Sequence, residues 1–142
     1  MAITQALCTS FKEELLNKEH DMNTDTFKIA LFTSSATLNA TTTVYDSTDN
    51  EITGTGNSAG GKALASGAIA VSGTTAYVDF ADPAWTSASF TCRGALIYNT
   101  SASLGTEAVA VLDFGGDFTV AAGTFTIALP VANASNALIR LA

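Results

Sequence analysis

The chain has few of the residues that usually carry chemistry. Its 142 residues include one histidine, His20, which sits between Glu19 and Asp21 at the end of the first polar-apolar segment. That placement suits a solvated face or weak cap better than a general base, which needs a nucleophile and an orienting partner. The two cysteines, Cys8 and Cys92, stand 84 positions apart in a sequence without a Cys-x-x-Cys pair. Free, buried thiols packing as small apolar residues are expected, not a redox or zinc motif. Cations are also scarce: Lys12, Lys18, Lys28, Lys62, Arg93 and Arg140 lie singly along a chain of net charge −7. Nucleic-acid binding needs clustered cations that displace condensed counterions, so no direct nucleic-acid partner is expected. No apolar run approaches the ~20 residues of a membrane helix. The start "MAITQALCTSFKEELLNKEH" lacks the basic and apolar regions of a signal peptide. The expectation is a soluble protein made in the cytoplasm, with no membrane partner.

Hydrophobic residues make up 47% of the chain and charged ones 13%, a balance that favours an ordered fold over disorder. A chain of this length folding as one domain, residues 1–142, buries roughly 70% of the surface its unfolded form exposes.

Helical spacing occurs only near the start. Ile3, Leu7, Phe11 and Leu15 recur every four residues, with Ala6 and Leu16 widening the stripe, and predict an N-terminal α-helix over about residues 3–19. Ser10 and Glu13 also fit a capping box, which would start the helix near Ser10 instead. "TFKIALFT", residues 26–33, reads as a strand with Phe27, Ile29 and Leu31 on one side and Lys28 and Ala30 on the other. A long polar loop follows over about residues 34–61, rich in Thr, Ser, Asn and Gly, with "TTTVY" as a short strand inside it. Beyond it, "KALASGAIAVS", "TTAYVDF", "SFTCRGALIYN", "TEAVAVLDF", "GTFTIALP" and "NALIRLA" read as strands. "ADPAW", "SASLG" and "GGDFTVAAG" read as the links between them. Short strands with frequent turns predict a mainly β domain, an antiparallel β-sandwich or barrel-like body carrying one helix.

Several segments imitate functional motifs. "GNSAGGKA", residues 56–63, has the G-x-x-x-x-G-K spacing of a phosphate-binding loop, and "AVAVLD" resembles the acid-tipped strand that accompanies one. The residue after Lys62 is Ala63, where magnesium ligation requires Ser or Thr, and no strand-loop-helix pattern surrounds the motif. Asp79 with Asp82, or Asp113 with Asp117, could pair as carboxylates, but strand-end and turn positions explain them equally. Asp46, Asp49 and Glu51 form an oxygen-rich stretch without the 12-residue spacing of a calcium loop. No catalytic, cofactor-binding or metal-ligating residue is assigned. Tyr77, Tyr98, Phe90 and Trp85 could line a sugar platform, but strand alternation favours core or inter-subunit packing for most of them. Trp85, two residues after Pro83, is the best candidate for an exposed anchor, which serves a protein interface as readily as a sugar.

"FKEELLN", "DTFKIALFTSSATL", "GTGNSAGGKAL", "TTAYVDFADPAW", "RGALIYN" and "AVAVLDFGGDFTVAAGTFTIALP" follow one another across nearly the whole chain. In that ordered combination the chain resembles small structural virion proteins of tailed bacteriophages. The resemblance implies a non-enzymatic, oligomeric capsid decoration or cement protein. Its partner would be the major capsid protein or another virion protein, and its place the outer capsid surface after synthesis in the host cytoplasm. A tail, neck or baseplate component and a carbohydrate-binding adhesion module are the alternatives. Interface candidates are Ile3, Leu7 and Phe11 on the helix, the loop from Thr37 to Gly61, and Trp85. The helix stripe has intramolecular core as its other role.

Overall fold

The computed structural model describes residues 2–65 and 67–142. Among these, two antiparallel sheets and one helix form a mainly β fold with a sandwich-like arrangement. The larger sheet has the strand order β1 (Ala6–Leu7), β7 (Glu107–Thr126), β6 (Ala84–Asn99), β2 (Phe27–Phe32), β3 (Lys62–Ala63). The smaller has the order β4 (Ala68–Ser72), β5 (Thr75–Asp79), β8 (Ile139–Leu141).

The core lies where β2, the second half of β6 and the first half of β7 meet. β2 pairs with β6 from Phe27↔Asn99 to Phe32↔Gly94, and five of its six residues are buried. The expected two-sided pattern is therefore replaced by burial on both faces. On one face, Phe27 packs between His20 and Phe80, at 6.5 and 5.7 Å between ring centroids. On the other, Phe32 meets Tyr45 from the polar segment. That segment is folded onto the sheet, with Ala36, Leu38 and Ile52 buried. Backbone N–H groups of Ile52 and Tyr45 donate to the carbonyls of Leu31 and Thr106. Within "TTTVY", Val44 makes only an isolated bridge to Glu107.

Two expectations about elements are corrected. The helix, α1, spans Thr9–Leu16, not residues 3–19. Residues before it are taken by the sheet: Ile3 bridges Leu38, β1 pairs with β7, and the N–H groups of Cys8 and Thr9 donate to Val109 and Ala40. Those amides are the donors an earlier helical turn would have used, so the four-residue stripe is divided between a strand and a helix. The start lies close to the one marked by the capping box, yet the box does not form, because Cys8 is the N-cap and Ser10 lies inside the helix. At the other end, Lys18 turns the chain with φ of 65°.

The second correction concerns "GGDFTVAAG", which is strand and not a link. β7 runs unbroken through it, because the first half of β6 offers a partner from Ala84↔Thr126 to Cys92↔Phe118. Register shifts along this pairing absorb the small residues, as β-bulges do, and add local twist. β6 and β7 thus continue past the five-stranded region as a long two-stranded ribbon.

Candidate functional site

Several of the polar groups that imitate active sites, His20, Lys62, Glu51, Asp46, Asp82 and Asp113, are engaged in holding the fold. His20 is buried, and its Nε2 lies 2.8 Å from Glu14 Oε2 on α1. Asn99, at the end of β6, accepts the Ser101 amide on Oδ1. Its Nδ2 then donates to His20 Nδ1 at 2.9 Å and to Asp25 Oδ2 at 2.7 Å. This pattern makes Nδ1 an acceptor and leaves the Nε2 proton for Glu14. The cluster is a clasp between α1, the 17–26 turn and the sheet; both imidazole nitrogens are occupied and the ring is shielded.

The phosphate-loop lookalike is resolved by its backbone. Gly61 has φ of 74°, and a Cβ there would stand 2.0 Å from the Ile29 carbonyl oxygen, so glycine is required for β3 to reach β2. Lys62 then continues into a strand, its Nζ donating to the Ala84 carbonyl and lying 5.7 Å above the Trp85 ring. Among the described residues, no helix N-terminus follows to receive a phosphate. Next to it, Glu51 accepts the Tyr45 hydroxyl at 2.6 Å and the Gly60 amide at 2.9 Å, and the Tyr98 hydroxyl donates to the Gly60 carbonyl. Tyr45 and Tyr98 stack at 4.4 Å, and burial raises both phenols, Tyr98 to about 12.

The acids behave similarly. Asp46 holds Thr48, and Asp82 accepts the Leu129 amide at 2.9 Å. Asp113 is lowered below the usual carboxylate range, chiefly by the Gly115 N–H and then by Arg93 at 3.2 Å. Burial raises the thiols of Cys8 and Cys92 to about 11 and about 12, which keeps them unreactive.

One exposed feature of the fold is apolar. On the ribbon, Phe125 touches Trp85 at 5.8 Å, Phe90 at 5.6 Å and Phe114 at 5.9 Å, and Phe114 meets Phe118 edge-on at 6.2 Å. Beside this cluster lies a cleft of about 430 Å³, lined by Phe114, Phe118, Thr124, Phe125, Ile127 and Ala128 among others. Phe118 is 50% exposed. The aromatic cluster roots the surface in the core through Trp85 while its outer rings face solvent, an arrangement suited to anchoring a partner.

The sequence-derived interface residues fall elsewhere. Ile3, Phe11 and Trp85 are buried, Trp85 to 2% exposure, which takes them out of reach of a docking partner and makes them core. Trp85 is covered because Phe125 lies across it and the Lys62 stem passes over it. That burial also takes Trp85 out of the sugar platform considered as an alternative. Leu7 is half-buried on β1, where it lines a groove of about 330 Å³ with Val111, Leu112, Pro130 and Leu138. Residues 37–61 mix buried and exposed positions. The ribbon phenylalanines were missed because "GGDFTVAAG" reads as a turn. Their signal was the recurrence of Phe114, Phe118 and Phe125 in a stretch with one charge between them, Asp117.

Comparison of the chain with protein-family models, with curated proteins and with solved structures finds no match. Among the described residues, no helix is long and apolar enough to cross a membrane.

Proposed function

We propose that this chain is a non-enzymatic structural protein of a tailed-phage virion, a decoration or cement protein that binds the assembled head and reinforces contacts between capsomers. The observation that carries the reading is the β6–β7 ribbon, an ordered two-stranded extension with an aromatic cleft and a half-exposed Phe118. The phage resemblance of the sequence provides the setting. Polar groups consumed by the fold agree with a body built to be rigid. A protein that binds the assembled shell in preference to free subunits stabilises the shell by that difference in affinity. Many copies multiply modest contacts.

The test mixes purified protein with empty heads lacking it, sediments them and counts bound copies, for the native chain and for Phe118→Asp. The reading expects saturable binding in fixed ratio to the shell protein, heads that survive greater heat, and weakened binding by the variant. Absence of binding to heads, with association with tails or necks, would overturn the decoration role and move the protein to that part of the virion.

A further inference from the structure

The smaller sheet presents an unguarded edge. β4 bonds to β5 on one side, and among the described residues no strand pairs with its other side. All five residues, Ala68 to Ser72, are exposed. Natural edge strands are usually blunted by a charge, a proline or a bulge, and "AIAVS" has none of these.

The hairpin fixes what the edge offers. Ser72↔Thr75 closes a two-residue turn in which Gly73 has φ of 61°, as the first central residue of a type II′ turn does. From that closing pair, hydrogen-bonded and non-hydrogen-bonded positions alternate along the strand. Ser72, Ala70 and Ala68 therefore direct their backbone groups to β5, and Ile69 and Val71 direct theirs outward. The same two residues carry the large exposed apolar side chains of the strand. Ile69 is 44% exposed and Val71 is 69% exposed; they share a sheet face with buried Val78 and Ile139 and with Leu141, 55% exposed.

We propose that β4 pairs antiparallel with β4 of a second copy about a two-fold axis at Ala70. This register sets Ile69 opposite Val71 of the other copy, twice, so each outward N–H and carbonyl meets its counterpart. It also extends the apolar row Ile139, Val78, Ile69 across the seam, covering side chains that water now reaches. A self-complementary patch is the requirement of a two-fold contact. Charge agrees, because copies that each carry −7 meet along a strand without an ionisable group. Five residues a side fall short of the roughly 800 Å² per partner of a stable complex, so the seam is a weak contact that high protein concentration populates and that copies held close together reinforce. It thus deepens the oligomeric part of the function proposed above.

The test is Ala70→Cys in the full chain. A non-hydrogen-bonded antiparallel pair brings Cα atoms to about 4.5 Å, within disulfide range. The native thiols are buried and do not compete. Ser72→Cys is the comparison, since in this register it faces Ala68 of the other copy. Under oxidation at high protein concentration, Ala70→Cys is expected to give disulfide dimer about tenfold faster than Ser72→Cys, reflecting its higher effective concentration. Adding Val71→Lys should abolish that advantage while leaving the circular dichroism spectrum unchanged. Equal rates for the two cysteines, or an advantage that survives Val71→Lys, would overturn the seam. Head binding of the same variants is scored separately. Cross-linking without binding sinks the decoration role and leaves the seam, and binding without cross-linking does the reverse.

Discussion

Phe11 and Phe118 undergo the same chemical change with opposite expected consequences, because one is sealed and the other is half in water. Phe11 is fully buried, 4.8 Å from the His20 ring. Truncating a sealed phenylalanine to alanine loses its transfer free energy and leaves a cavity, about 3–5 kcal/mol together. A domain holds roughly 5–15 kcal/mol in all, so Phe11→Ala should fold with a much lower denaturation midpoint. Phe11→Asp adds an unpaired buried carboxylate and should not fold. Phe118 forfeits about half of a full burial, on the order of 1 kcal/mol, so Phe118→Asp should melt within a few degrees of the native chain. Urea unfolding followed by Trp85 fluorescence measures all three, since Trp85 is the only tryptophan and is buried in the native state. A folded Phe11→Asp, or a Phe118→Asp as unstable as Phe11→Ala, would refute the assignment of Phe11 to the core and Phe118 to the surface.

Gly61→Ala should destabilise the chain by about 3 kcal/mol or more, combining strain at positive φ with overlap on the Ile29 carbonyl, as read from the urea midpoint. Asn99→Leu strips partners from His20, Asp25 and the Ser101 amide, and should cost about 1–3 kcal/mol. Amide exchange should then quicken in α1 and the 17–26 turn, whereas unchanged exchange there would deny the clasp. Asp113 titrates lower in the folded than in the unfolded chain, so its stabilisation is complete above the ordinary carboxylate value near 4. It is lost as pH falls through the folded value; Asp113→Asn should flatten that part of a stability-against-pH curve, and an unaltered curve would contradict the Gly115 and Arg93 contacts.

The β class and the strand character of β2, β4 and β5 were legible from their apolar runs, although "KALASGAIAVS", read as one strand, is divided between β3 and β4 in different sheets. The helix was overread because a four-residue stripe looks the same whether α1 or β1 supplies its members; which won was decided by Val109 and Ala40, distant in sequence, accepting the amides of Cys8 and Thr9. The ribbon was underread for the converse reason. Gly115, Gly116 and Gly123 look like breaks, but Gly123 is paired with Ala88, and Gly115 and Gly116 fall in the register shift between Cys92 and Gly94 without ending the strand. Trp85 could not be placed from its neighbours, because Phe125, which covers it, lies 40 positions away.

The ribbon is the proposed contact surface. Hydrogen exchange of the protein, free and bound to empty heads, is the decisive measurement: amides over residues 114–128 are expected to slow markedly on binding while those of α1 keep their free rates, and equal exchange of the ribbon in both states would rule the proposed contact out.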